Sequence, residues 1–431
     1  MSDVAILGGG LAGLSLALQL KLSEPDLEIT VLEKAAFPVP EAAHKVGEST
    51  VELASHYFGH TLDLRDHLHA FQLPKLGLRF FFGPGEIQNR LEVGGSDFPP
   101  TPSYQLDRGR FENFLAERCR EKGIRVLDAT KVEEVSLGED RDPHTVCYRG
   151  EQGRAEIQAR WVVDASGRTS ILKRKLNLRK ASPHKASAVW FRVNQEIRLD
   201  DWSEDPCWRE GHEGRKARWF STNHLMGTGY WVWLIPLASG STSVGIVVDE
   251  SIHPVATLSS LEKARAWMEK FEPQCASKVF AEGVEVQDFK ALKHYAHDCE
   301  RVYSSKRWYL TGEAGVFLDP FYSPGSDFIA LSNTFITRLI TGAYRGEEIG
   351  SRTRFYNNLF LSFKSRTMEI FQDMYPICGH AQVMPMKIVW DFATYWVLLA
   401  YLFFQERLWE PSEMSLVGEE VSRIGKVNTY M

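Results

Sequence analysis

The sequence predicts an α/β fold, and three stretches carry that prediction. "DVAIL" (3–7), "GGGLAG" (8–13) and "LSLALQLKL" (14–22) read as strand, glycine turn and apolar helix, closed by the β-run "EITVLEK" (28–34). "WVVDASGRTS" (161–170) reads as a buried strand running into a turn of small residues. "RWYLTGEAGVFLDPFYSPGSDFIALSNTF" (307–335) reads as a strand, an acidic Gly-Glu turn and a Pro/Gly loop that opens a helix.

The first unit has the chemistry of a dinucleotide site. Gly8, Gly10 and Gly13 follow a G-x-G-x-x-G spacing, with Leu11 and Ala12 at the start of the helix, and Glu33 falls twenty positions beyond Gly13, next to Lys34. The first glycine allows the tight turn and the second admits a pyrophosphate to the backbone. The third lets helix and strand pack closely, while the helix N-terminus attracts phosphate and Glu33 accepts from a ribose hydroxyl. Next along the chain, "SYQLDRGRFENFLAERCREKGIRVLDATKVEEV" (103–135) reads as an amphipathic helix feeding two short strands. Between 176 and 300, β-like runs such as "SAVWFRVNQEIRL" and "STSVGIVVD" alternate with helical charge patterns such as "SSLEKARAWMEKF".

Composition narrows the classes. Apolar residues at 44% and charged residues at 25% are ordinary for a globular protein. A net charge of −6 argues against nucleic acid, which calls for a basic surface or patch. Six widely spaced cysteines without a C-x-x-C read as reduced thiols in a cytoplasmic enzyme. The N-terminus "MSDVAILGGG" has no basic n-region, so no signal peptide is expected. Thirteen histidines show no metal-ligand spacing and no Ser-His-Asp arrangement, so no metal is expected. Twelve Trp and 25 Phe suit either walls around a flat ligand or a rich core.

Taken in order, the segments at 103–135, 161–170 and 307–335 resemble the aromatic-hydroxylase (glutathione-reductase-type) FAD fold, in which one Rossmann-like domain returns three times along the chain. The resemblance implies FAD contacts at Asp164 and Glu313, with Arg108 and Val132 near the adenosine half; as bare residues, Asp164 and Glu313 also suit helix caps. The expected division is an FAD domain from 1–75, 103–175 and 295–345, an interleaved β-sheet substrate domain from 76–102 and 176–294, and a helical C-terminal region at 346–431. The Pro-rich "SDFPPTPSYQL" is read as joining cap and FAD strands.

Three further motifs resemble the flavin-dependent halogenases of the tryptophan-halogenase-like group. "GYWVWLIPL" (229–237) holds Trp231-x-Trp233-x-Ile235-Pro236, "VGEST" follows the second strand, and "PKLGLRF" places Lys75 just before Leu76-Gly77. The resemblance covers about residues 1–340. It implies that Gly47, Glu48 and Ser49 lie along the isoalloxazine, although "ST" before "VELASHYF" also suits a helix N-cap. It implies FAD reduced by a separate flavin reductase or in place, dioxygen, and a halide (chloride or bromide) oxidised to hypohalous acid that travels inward to the catalytic Lys75. A lone lysine in an apolar stretch is a strong donor or nucleophile when buried, and an ordinary loop residue when it faces solvent. Trp231, Trp233 and Tyr322 are implied at the passage to the substrate, Pro320 and Gly325 at the flavin, and Gly325 and Ser326 at the halide.

The chain departs from that pattern at "DPFYSPGSDF", where Tyr322 stands in the place of an acid and Pro324, lacking an N–H, in the place of a small residue. Gly325 and Ser326 then supply the halide contacts, or the flavin oxidises without halogenating, as a monooxygenase or dehydrogenase. The implied substrate is an electron-rich phenol- or pyrrole-like aromatic, free or carrier-bound. Basic "KRKLNLRK" (173–180) is read as a solvated loop or as a docking site for an acidic carrier. "VWDFATYWVLLAYLFF" (389–404) has one charge in sixteen residues; it is short for a spanning helix and suits a helix on the substrate chamber or a peripheral membrane contact.

Overall fold

In parallel register, Ser2–Leu7 pairs with Ile29–Leu32 on one side and with Gly153–Asp164 on the other. The computed structural model that shows this describes residues 2–42, 44–94, 101–210 and 218–430. Trp308–Leu310 joins beyond Gly153–Asp164 and Arg125–Leu127 beyond Ile29–Leu32, so five parallel strands come from four distant parts of the chain. Register aligns their carboxyl ends: Leu7 lies opposite Asp164, and Asp164 opposite Leu310. Gly8, Glu33, Ala165 and Thr311 therefore leave the sheet along one edge, where open α/β sheets bind ligands. Helix Leu11–Ser23 covers the sheet against helices Arg108–Glu121 and Pro324–Tyr344. It is buried almost all round, which explains its run of leucines without an amphipathic stripe.

A second sheet runs Val286–Leu292, Ala186–Val193, Thr242–Asp249, Tyr230–Pro236, Thr222–Gly227, Leu78–Phe82 and Leu91–Val93. Leu78–Phe82 pairs in parallel with Thr222–Gly227, so residues from 76–102 and from 176–294 share one sheet. Period-two alternation gives it two apolar faces. Trp231, Trp233 and Ile235 join the core shared with the first sheet, while Val232 and Leu234 join a second core with helices Leu261–Phe271 and Pro273–Val279.

Some expectations change. Helix Glu52–His56 is capped by Val51 without a side-chain bond, because the Thr50 hydroxyl is engaged with Tyr104 and Ser55. In the basic stretch at 173–180, Lys173 is buried, donating to Gly315 O and close to His297 Nδ1, while Arg179 and Lys180 stay exposed. Residues 389–404 lie in Val383–Tyr395 and the helical turns that follow it to Phe404; Met384, Ile388 and Asp391 face inward, and Met386, Val389, Val397 and Tyr401 are exposed. Among the described residues no helix is long and apolar enough to cross a membrane. Residues 96–100 of the Pro-rich connector lie outside the described residues.

Candidate active site

A cavity of about 570 Å³ opens at the carboxyl edge of the first sheet and runs to the inner face of the second. Gly8, Gly10, Leu11, Ala12, Glu33, Lys34, Arg108 and Val132 line one end. Gly8 has φ +115°, and a Cβ there would lie 2.4 Å from Ala165 O. A Cβ on Gly13 would lie 1.9 Å from Gly8 O, so this glycine serves close packing and does not reach the cavity. A Cβ on Gly10 would meet nothing within 4 Å. The backbone thus leaves room in front of the helix N-terminus, where the dipole and free N–H groups favour phosphate. Glu33 accepts from Gly9 N at 2.6 Å and Ala35 N at 2.9 Å, which fixes its carboxylate at the turn. Lys34, Lys131, Arg168 and Lys290 give the rim cationic character.

The middle of the cavity is lined by Gly47, Glu48, Ser49, Glu313 and Pro320. Gly47, at φ +84°, and Val46 turn their carbonyls to Arg108, which anchors the loop. Burial raises the Glu48 carboxyl to about 7, against hydrogen bonding from Ser243 and the charge of Arg192. Burial also raises Glu313, opposed by Arg168 at 3.8 Å. Asp164 does not line the cavity: its oxygens accept from Ser166 N, Ser166 Oγ and Leu172 N, so it caps the turn whose Ala165, Ser166 and Gly167 do line it.

At the far end stand Trp231 and Trp233, on one face of their strand with ring centroids 5.7 Å apart. Their indoles donate to Tyr375 Oη and Ser243 Oγ. Gly245 makes room for Trp233, since a Cβ there would fall 2.1 Å from the indole. Ser323, Pro324, Gly325 and Ser326 line the same end at the start of Pro324–Tyr344. Pro324 occupies the first helical position, whose N–H has no intrahelical role, so its ring fits there without breaking the helix. Tyr322 turns away from the cavity and donates to Asp391 at 2.8 Å; aromatic packing against Phe321 and Phe371 holds it there.

Lys75 ends strand Leu73–Lys75 and is 5% exposed. Its ammonium does not line the cavity; it donates to Thr50 O, behind the Gly47–Ser49 wall. Burial lowers it to about 8, opposed by Glu52 and Asp327. Asp327, accepting from Ala54 N at 2.9 Å, is itself raised to about 8, chiefly by burial.

The glycine cradle, the cationic rim and the apolar far end fit one elongated ligand with a phosphate-bearing half and a flat half. Residues 1–272 match the family described as FAD binding domain. The chain belongs to that family. This FAD-binding protein matches, along most of its length, relatives that are flavin-dependent halogenases. It is 27% identical to the flavin-dependent halogenase chlA of Dictyostelium discoideum, over 92% of this chain and 70% of that one. It is 26% identical to a 1H-pyrrole-2-carbonyl peptidyl-carrier protein chlorinase of Pseudomonas fluorescens, over 75% of this chain and 72% of that one. Its fold matches halogenase PltM in complex with phloroglucinol and FAD, with TM-score 0.80 at 16% identity, over 99% of this chain and 85% of that one. The FAD-binding protein is thus a flavoenzyme of the oxidoreductase class, with FAD as its cofactor. Among the lining residues that sequence reasoning did not single out are His224 and Asp319. A single histidine on an apolar strand and an aspartate before a proline carry no periodic signal that would single them out.

Proposed function

We propose that this enzyme halogenates an electron-rich aromatic, phenol- or pyrrole-like, using reduced FAD from a separate flavin reductase, dioxygen and chloride or bromide. The observation that carries the reading is the burial of Lys75 directly behind the loop that walls the flavin cavity, with its ammonium lowered to about 8. Bound and reduced, the flavin supplies dioxygen activation and the oxidation of halide to hypohalous acid.

The protein supplies position and exclusion. Gly325 and Ser326 sit at the mouth of a 21-residue helix, where N–H groups and dipole favour an anion; the proline at 324 removes only one of the orphan donors. Asp327 in the same turn is raised to about 8 and so stays neutral near pH 7, which spares the halide a like charge. Trp231 and Trp233 narrow the far end, admitting a small oxidant while holding a bulky ring away from the flavin. Lys75, half neutral near pH 8, presents an amine or ammonium to the electrophile across that wall. The second sheet and residues 346–431 are read as the substrate side, the substrate being free or carrier-bound. The cytoplasmic placement rests on the reduced-thiol reading of the six cysteines. A peripheral membrane contact by the tail is supported only by exposed Met386, Val389, Val397 and Tyr401.

The test is purified protein with FAD, a generic flavin reductase and NADH, offered a panel of phenols with chloride, bromide or no halide. A halogen isotope pattern in the product mass, lost in Lys75→Ala, is expected. An oxygen mass gain that ignores halide would replace this reading by hydroxylation.

A further inference from the structure

Trp231 lines the cavity, is 1% exposed, and is held by a residue that does not line the cavity itself. An indole nitrogen only donates, and the hydrogen of Trp231 goes to Tyr375 Oη at 3.1 Å. Tyr375 opens the turn Tyr375–Ile377 in the C-terminal region, 144 positions along the chain from Trp231.

Two backbone contacts seat that part of the C-terminal region on the hairpin that carries Trp231. Strands Thr222–Gly227 and Tyr230–Pro236 are antiparallel neighbours, joined through Thr228 and Gly229. Tyr375 O accepts from Gly229 N at 2.8 Å. Gly379 approaches the same turn so closely that a Cβ there would lie 2.8 Å from Thr228 N. The Tyr375 hydroxyl is fixed in turn by Asp319. Tyr375 Oη and Tyr295 Oη both donate to Asp319 Oδ2 at 2.6 Å, His184 Nε2 lies 2.7 Å from the same oxygen, and Phe321 N donates to Oδ1 at 2.9 Å. Burial, and after it the Asp319 charge, pushes both phenols well above their ordinary range, so each keeps its hydrogen. A phenol has one hydrogen. Tyr375 spends it on Asp319 and presents only lone pairs to the indole.

We infer that Tyr375 is a positioning residue for halogenation: by accepting the indole N–H it holds Trp231 in place at the far end of the cavity, and so keeps hypohalous acid from escaping to solvent; this rests on the halogenation reading above. Tyr375 acts through Trp231, and no covalent bond is made or broken at it. A buried indole deprived of this acceptor has an unmet donor and turns toward another partner, which loosens the wall.

Two variants separate this role from a purely architectural one. Tyr375→Phe and Tyr295→Phe each remove one donor from Asp319 Oδ2, but only Tyr375→Phe frees Trp231. Both should bind FAD as wild type does. In turnover with a flavin reductase, a phenol and a β-diketone scavenger in bulk solution, the ratio of halogenated phenol to halogenated scavenger should fall about fivefold in Tyr375→Phe, the effect of one neutral hydrogen bond. Tyr295→Phe should keep the wild-type ratio. The second measurement needs no turnover. In oxidised, FAD-loaded protein labelled with ¹⁵N-tryptophan, the Trp231 indole resonance, assigned by its loss in Trp231→Phe, should exchange with solvent slowly in wild type and in Tyr295→Phe, and about fivefold faster or more in Tyr375→Phe. Equal ratios in the two variants, whether changed from wild type or not, overturn the proposal. So does a wild-type Trp231 indole that exchanges like an exposed one. Loss of FAD from Tyr375→Phe overturns it too, because the residue would then serve the cofactor fold as a whole. Wild-type enzyme that delivers halogen to neither phenol nor scavenger sinks the halogenation reading and this proposal together, and is told apart by needing no variant.

Discussion

Lys75→Met separates what the buried amine does for the fold from what it does for chemistry. The side chains are similar in volume, so packing changes little. Holding the ammonium near 8 instead of its ordinary 10.5 corresponds to ~3 kcal/mol of cost to the folded state at pH 7. Methionine removes that cost but forfeits the hydrogen bond to Thr50 O, a loss of ~1–2 kcal/mol with a buried carbonyl left bare. The net expectation is a variant more stable than wild type by ~1–2 kcal/mol at pH 7. The sign follows from the folded value lying below the unfolded one. The cost is complete below pH 8 and fades as pH rises toward 10.5, so the gap between the proteins should close and then reverse. Urea unfolding of both FAD-saturated proteins at pH 7 and pH 10, followed by tryptophan fluorescence, measures it, and halogenated product should be absent from the variant at both. A variant less stable than wild type at pH 7, or a gap that does not change with pH, would refute the account of Lys75 as a desolvated cation.

Gly10→Ala should leave the melting temperature unchanged, because its Cβ meets nothing within 4 Å, yet weaken FAD binding about tenfold or more by filling the phosphate cradle; fluorescence titration of FAD reads it. Gly13→Ala, whose Cβ would fall 1.9 Å from Gly8 O, should instead lower stability by ~1–3 kcal/mol, seen in thermal melts without cofactor. Burial raises Glu48 from 4.5 to about 7, so its cost is absent below pH 4.5 and complete above 7. FAD-free Glu48→Gln should therefore gain up to ~3 kcal/mol on wild type across that window, and denaturation curves at pH 4.5 and 7.5 check it. Tyr322→Phe loses the hydrogen bond to Asp391 and should cost ~1–2 kcal/mol of stability with FAD affinity untouched, a contrast that places this residue outside the flavin site.

The parallel sheet was legible because glycine spacing and the acid after the second strand are both demanded by one ligand. The Trp231–Trp233 face was legible because a strand repeats every two residues. The side-chain directions of Asp164 and Tyr322 were not. A short acid beside a turn serves a cap as readily as a cofactor, and Asp164 found three donors within its own turn. Tyr322 follows Asp391, a partner 69 positions away that no local pattern announces. The burial of Lys75 was implied by the resemblance and not by its neighbours, which suit a solvent-facing loop as well, and its acceptor, Thr50 O, depends on two chain segments meeting. The capping role expected of the Ser49–Thr50 pair failed for the same reason: Thr50 is held by Tyr104 from a different strand.

Residues beyond 345 brace the halves of the cavity from behind. Tyr375 Oη touches both Trp231 and Asp319, Tyr395 Oη takes the Leu53 N–H, and Lys364 holds Asp298. The stretch 1–272 that matches the family lacks strand Trp308–Leu310 and helix Pro324–Tyr344, so it is not a unit that could be excised and kept folded. A protease cutting near residue 346 would take away the braces along with the tail. Loss of flavin colour should accompany such a cleavage even though no residue placed at the flavin had been severed.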